Sequence, residues 1–539
     1  MALLALSLGA AAQNLNPTVE VTNTYRREAS GIEKPGQLLP LPDSVTHFNY
    51  DFDYTVRNTP YRGSYEFKPY NVQLKPTPRP RTENSFFAKL GAGYTFHPEG
   101  LLIWTPVSDE NLHVNVYGSY NGYYGHYRDI RFNGGSFSDS GSLTGNWKDR
   151  VAIAGADMRL DWQTGALRAD LHYRGISTSD VWKSINNRGI SADGGIAGKI
   201  GNRFRYYMSE HLSYIRNSLM SEALSQSDAS FGIPFESSFA NLTLNAQALR
   251  YHTGGSIGYA ANLAVTPSYS FTLGKVVVKA GVKFGFILRN QSTFCPHDAG
   301  LVFPDVNVSY SVLEENLVLF ASATGGNRIA TYDDLLYRNH FLGSFSFAPD
   351  NTVETVNALI GARGNIRERF HFNVKAGFNR LVNAVSWGYS DTSAGYTPIV
   401  GYMSPLNTFY ADAQVGFMSD NLDIDGNLHY QYTLTPAIED PIQANLFAPA
   451  ALTGKARASY KLFGGRFIPS STIEVMSERK SVNATLPAFA DLGTECSFGI
   501  NRYWSAYLRI GNLLNQSVQR VPFHAEKGIY VTAGASVKF

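Results

Sequence analysis

Two small groups of side chains in this sequence carry the residue types that acid–base chemistry needs. His429 follows Asp423 and Asp425 at even spacing, and His172 follows Asp170 by two residues. On an extended strand, residues two apart share a face. Each histidine therefore shares a face with its carboxylate, and such a pair could act as general base or general acid. The same strand faces carry many other charges, with Arg159, Arg168, Arg174, Lys375, Lys455, Arg457, Lys461, Arg509 and Lys538 accompanied by Asp157 and Asp161. A polar lining of a solvated interior is the second reading of the same residues. Other catalytic signatures are missing: no HExxH, no GxSxG, no P-loop, and no GxGxxG leading into a helix. The twelve histidines are scattered, and Cys295 and Cys496 fit neither a disulfide framework nor a zinc pattern. No catalytic residue, metal site or cofactor is expected.

The elements that must position these charges are strands. From Asn84 onward the chain alternates with period two. Leu167, Ala169, Leu171 and Tyr173 stand opposite Arg168, Asp170, His172 and Arg174; Leu422, Ile424, Leu428, Tyr430 and Tyr432 stand opposite Asp423, Asp425, Asn427, His429 and Gln431. The same holds for Phe370 to Phe378 against His371, Asn373 and Lys375, and for Leu452 to Leu462 against Lys455, Arg457 and Lys461. These runs exceed the ~5–6 residues of a soluble strand and match the ~9–11 that cross a bilayer at a tilt. The apolar face then meets lipid and the charged face lines an interior. Trp104, Trp162, Tyr430, Tyr432 and Trp504 near strand ends fit interfacial girdles.

Composition excludes the competing classes. A chain of 539 residues would suggest three or four soluble domains, but charged residues are only 17%, below the ~25% of soluble chains, while aromatics reach 13%. Beyond residue 12 no apolar run reaches the ~18 residues of a membrane helix. A net charge of +2 leaves no footprint for nucleic acid.

The rhythm of links gives the architecture. Short links at 163–165, 201–202, 314–316, 419–421, 463–465 and 501–502 alternate with long ones at about 124–149, 177–189, 216–238, 326–352, 382–407, 433–450, 478–490 and 515–527. Short periplasmic turns and long outer loops are what bacterial barrels show. The expected fold is an all-β, transmembrane antiparallel β-barrel of about 20 strands, within a range of about 18 to 22, over residues 83–539. Parity breaks near 255–275, through a miscounted strand or a short loop on the unexpected side. Residues 1–12, MALLALSLGAAA, read as a signal peptide whose start is cut short. Residues 13–82 hold nine of the 24 prolines and read as an extended periplasmic segment, with a hairpin at 47–56 and 65–72 as an option. The final strand, Ile529 to Phe539, ends on an aromatic, the common outer-membrane insertion signal.

The run Arg509-Ile510-Gly511-Asn512-Leu513-Leu514-Asn515-Gln516, a loop, and a last strand ending in Phe539 resemble the close of TonB-dependent receptor barrels. The Gly- and Tyr-rich style is similar to barrels of Bacteroidetes-type bacteria. The match covers about 30 residues of sequence and extends loosely over 84–539. The family places a plug of well over a hundred residues before the barrel, whereas about 70 precede it here. The resemblance thus implies a plugless receptor-like barrel and puts energised transport, and engagement of TonB, in doubt. Two functions follow: solute passage or binding, or work with envelope partners such as a surface lipoprotein or a periplasmic protein. A structural or assembly subunit is the alternative, and a barrel hydrolase is third. The expected surroundings are outer-membrane lipid, with Arg168, Asp170, His172, Arg174, Lys375, Asp423, Asp425, His429, Lys455, Arg457 and Arg509 lining the lumen and Phe539 as the insertion signal.

Overall fold

Alternation this regular folds as one continuous sheet that closes on itself. The structure is a computed structural model. It describes residues 85–539 apart from 180–183, 202, 254, 290–299, 314–315, 343–347, 368, 393–394, 404 and 435–442. The signal peptide, the segment 13–82 and Cys295 lie outside the described residues.

Among the described residues the wall has 22 antiparallel strands, at the upper end of the expected range. It closes where Phe86–Tyr94 pairs with Tyr530–Lys538, from Phe87 opposite Lys538 to Tyr94 opposite Val531. Closure leaves no wall edge exposed to lipid. Leu171, Ile190, Leu212, Leu428 and Tyr430 stand exposed on the outer face, and so much contiguous apolar surface requires a covering of lipid.

The parity break near 255–275 has both expected causes, a wall strand missed within 216–238 and a short loop on the long-loop side. Ser238–Thr253 and Ser256–Leu273 are joined through Gly255, with φ 86°. Four segments read as long loops are largely strand: 177–189 falls mostly within Gly165–Ser179 and Ser184–Ile200, 382–407 holds the loop hairpin Ala384–Thr392 and Gly395–Met403, and two more change the outline of the barrel. The span 124–149 belongs to Leu112–Asn133 and Ser136–Trp162, a projecting hairpin of 22 and 27 residues. Its turn is Gly134-Gly135, both at positive φ (56° and 85°), as a two-residue hairpin turn demands. The span 216–238 contains the wall strand Met220–Pro234. Its outward residues Ala223, Ser225, Ser227 and Ala229 are small or polar, so the sequence shows no apolar face there.

The long loops pack over one end of the barrel. A short helix, α1 (Tyr332–Arg338), lies between the wall strands Leu317–Ala330 and Asp350–Ile366. Thr331 caps it, its hydroxyl accepting from Asp334 N at 3.1 Å. Its Tyr332, Leu335 and Leu336 pack with the inward-facing Ile176, Ile215, Met220, Leu249 and Tyr251. Leu336 is fully buried, which contributes ~1.5–3 kcal/mol. The helix therefore sits inside the mouth, against strands well removed from its own. Beside it, Phe137, Tyr389, Phe447, Leu486 and Phe523 from other loops form a second buried cluster.

Candidate lumenal site and mouth latch

Strand parity turns Arg168, Asp170, His172 and Arg174 away from exposed Leu171 and Tyr173 and into the lumen. Cross-strand register then builds a row that no single strand contains. Asn115 faces Asp157, Asp157 faces Asp170, Asp170 faces Asp193, and Asp193 faces His211. Like charges directly opposed are destabilising, and polar neighbours offset this. Asn115 Nδ2 donates to Asp157 Oδ1 at 2.9 Å, and Tyr117 donates to Asp170 Oδ2 at 2.6 Å. His172 Nδ1 lies 2.6 Å from Asp170 Oδ1, and His211 Nδ1 lies 2.6 Å from Asp193 Oδ1. Donor atoms of Asp170, His172 and Asp193 fall within 4.8 Å of one another. That is an oxygen-and-imidazole set suited to a divalent cation. The sequence reading found no metal constellation because these residues belong to two strands with no local spacing between them.

Arg174, at the upper end of this strand, latches the mouth. Its guanidinium pairs with Asp333 of α1, and the two side chains are 4% and 7% exposed. On a neighbouring face Glu222 accepts from Tyr332 N at 2.7 Å and Asp333 N at 3.1 Å, meeting the first free amides of the helix. Further along, His340 Nδ1 lies 2.9 Å from Asp149 Oδ1 of the wall. Phe341 stacks on His524 of the last long loop, with ring centroids 4.9 Å apart. Arg168 faces Arg159 across the sheet, and Arg159 is held by Asp161 at 2.9 Å.

On the opposite side of the barrel the histidine of the other group meets a different carboxylate from the two on its own strand. His429 is paired with Asp412 of the preceding wall strand, Leu406–Met418, at 2.5 Å, rather than with Asp423 or Asp425. Residues two apart on a strand share a face, but a residue directly across the ladder is closer. Lys375 Nζ approaches the same Asp412 at 3.3 Å, giving a three-strand cluster. Asp425 sits opposite Arg457, and Asn427 opposite Lys455, so an acidic strand face adjoins a basic one. Asp423 sits opposite Ser459.

Arg509 lies at the closing seam. It binds Glu99 at 2.9 and 3.2 Å and Glu495 at 3.2 Å, while Tyr507 donates to Glu99 at 2.5 Å. Arg509 and Glu495 are buried. Removing one member of such a pair costs ~3–5 kcal/mol because it leaves a buried charge unmatched. Arg509→Met should therefore lower the temperature at which the barrel loses its compact electrophoretic mobility, whereas Lys375→Met, at a half-buried pair, should shift it little. Phe539 closes the wall: its carbonyl accepts from Phe86 N at 2.8 Å, and its ring stacks on Phe86 at 4.8 Å.

The sequence reading missed Asp412, Asp193, His211, Glu99, Glu495, Glu222 and Asp333. The first three were reachable by folding the strands about the short turns at 419–421 and 201–203. Glu222 and Asp333 were not, because a loop returning to a remote wall leaves no local pattern.

No protein-family model matches the sequence, and no curated protein matches it. Solved structures do match the fold. The siderophore receptor PirA from Acinetobacter baumannii superposes with a TM-score of 0.60 at 9% identity, over 84% of this chain and 80% of that one. The FrpB iron transporter from Neisseria meningitidis gives 0.60 at 10% identity over 85% and 81%. The copper transporter OprC gives 0.56 at 9% identity over 84% and 80%. The chain thus has the fold of TonB-dependent receptor barrels and is a barrel of the bacterial outer membrane.

Proposed function

We propose that this outer-membrane barrel is a gated, receptor-like transporter whose solute path opens when the segment Thr331–Leu342 leaves the mouth. The observation that carries the reading is the latch. A loop that only needed to be stowed could pack by apolar contact, yet this one places charged Asp333 on Arg174 and its helix start on Glu222. Polar anchors of that kind give a docked state that competing charges can release. Below the latch, the row Asp157, Asp170 and Asp193 with His172 and His211 offers carboxylates and imidazoles to a cationic or metal-bearing solute. The siderophore, iron and copper proteins that share the fold support that solute class.

Partner proteins of the envelope, held by the segment 13–82 or by the outer loops, belong to the same proposal, which needs no pull from TonB. A second reading, an assembly subunit anchored by its barrel, draws on the aromatic seal of Phe137, Tyr389, Phe447 and Phe523. Permeability separates the two. In planar bilayers the full-length protein should conduct little, and a variant lacking 332–342 should conduct through a wide lumen. Ala330 and Asp350 pair directly, so the wall survives that deletion. A deletion variant as tight as the parent would overturn the gated-transporter reading.

A further inference from the structure

The outer face carries a feature that solute passage does not use. Arg150, Arg188, Arg216 and Arg250 each stand twelve residues from the short-turn end of their strand, which is Trp162, Ile200, Phe204 and Ser238 respectively. Twelve residues at ~3.3 Å, tilted by ~40°, rise about 30 Å, the thickness of the hydrocarbon core. All four arginines therefore reach the headgroup level of the outer leaflet together. Parity turns them outward with exposed Ile190 and Tyr214, while Ile215 and Leu249 turn inward. Arg188 and Arg216 are direct cross-strand partners, an arrangement that is unfavourable unless an anion lies between them. Among the described residues of this flank, the carboxylate at that height, Glu222, points into the lumen, and the outward Glu210 lies six residues lower, where Ser225 and Ser227 donate to it.

Two recesses adjoin this ledge. A pocket of about 270 Å³ lies between Arg150 and Arg188, lined also by Tyr120, Tyr173, Ser177 and Asn186. Arg150 donates to Ser177 at 2.6 Å, which holds its guanidinium across the pocket. Below, a groove of about 710 Å³ is floored by Ala223 and Ala248, flanked by Ile190, Tyr214 and Tyr259, and headed by Arg250. It exists because two adjacent strands, Met220–Pro234 with Ala223 and Ser238–Thr253 with Ala248, present small residues to the membrane where the strands on either side present Leu212, Tyr214 and Tyr259. The groove lies in hydrocarbon and opens upward onto cations.

We propose that this flank is a specific binding site for a phosphorylated, multiply acylated lipid of the outer leaflet. Its phosphates would lie on the arginine ledge, and one acyl chain would fill the groove. Charge complementarity selects the headgroup, because guanidinium forks bind phosphate bidentately. Depth selects a lipid over a soluble anion, because the mainly apolar groove runs down from the ledge into the hydrocarbon as far as Ser225, which donates to Glu210 at 2.7 Å.

The test uses the full-length protein in detergent, with diphosphoryl lipid A, its dephosphorylated form and inorganic phosphate as probes. Native mass spectrometry should show lipid A retained, its dephosphorylated form retained at least tenfold less, and no protection by inorganic phosphate against lipid A exchange. The variant R188Q/R216Q/R250Q should lose retention at least tenfold. Its wall should stay folded, since these side chains face outward, and unchanged heat-modified mobility would show that. A groove-filling variant, Ala248→Phe, should weaken retention with all arginines present. Equal retention of both lipids, or of lipid A by the parent and the arginine variant, would overturn the proposal. So would displacement of lipid A by inorganic phosphate alone, or protection of this flank by a membrane protein with no lipid bound.

Discussion

Arg174→Met should open the mouth by about two to three orders of magnitude in the ratio of open to closed time. The pair it breaks is nearly excluded from solvent, with Arg174 at 4% and Asp333 at 7% exposure. Removing one charge of such a pair costs ~3–5 kcal/mol, and each ~1.4 kcal/mol is a factor of ten. The cost falls on the docked loop alone, because with α1 released Asp333 regains water, while the wall strand Gly165–Ser179 keeps its ladder to both neighbours. Single-channel recording reads the ratio directly. Asp333→Asn should open the mouth less, since an amide can still accept from the guanidinium. Replacing both charges, R174M/D333L, should return most of the closed time, because matched apolar groups leave nothing unpaired. If the single and double variants open equally, the ion pair is not the latch and α1 is held by its leucines.

How far the sequence foretold this arrangement depends on which solvent each residue meets. Leu171 and Tyr173 meet lipid while Arg168 and Arg174 meet the lumen, so alternation marked that strand plainly. The hairpin Leu112–Asn133 and Ser136–Trp162 continues beyond the bilayer, where water wets both faces and alternation fades. The strand Met220–Pro234 was lost for a different reason. Small outward residues make the groove, and their smallness is also the absence of signal. At the candidate site, parity placed Asp170, His172 and His429 on the lumenal face. Register, which parity does not encode, gave His429 to Asp412 and set Asp170 beside Asp193. The latch lay beyond reach, because Asp333 meets Glu222 across 111 residues of chain.

Raising the pH should tighten one part of the cap and loosen another. Lys527 belongs to the loop before the final strand and is buried, its Nζ 4.2 Å above the Tyr530 ring. Burial pushes its pKa from 10.5 down to about 7. Between those values the undocked loop binds more protons than the docked one, so docking strengthens with pH by up to ~1.4 kcal/mol per unit. Below about pH 7 both states carry the charge and the dependence vanishes. For His340, burial alone would lower the pKa, but the facing Asp149 carboxylate outweighs it and the pKa is raised above 6.5. Its contribution is complete below the ordinary histidine value and is lost as pH climbs through the raised one. Hydrogen exchange between about pH 6 and about pH 9, corrected for intrinsic rates, should show protection rising over 519–527 and falling over 335–342. Lys527→Met should flatten the first trend and His340→Gln the second. The stacked rings of Phe341 and His524 join the two segments, so a shared trend of one sign would mean that the cap undocks as a unit and that only the group with the larger shift sets its direction. Opposite trends would mean that the Arg174 latch can release α1 while the last loop holds, leaving a mouth that opens on one side.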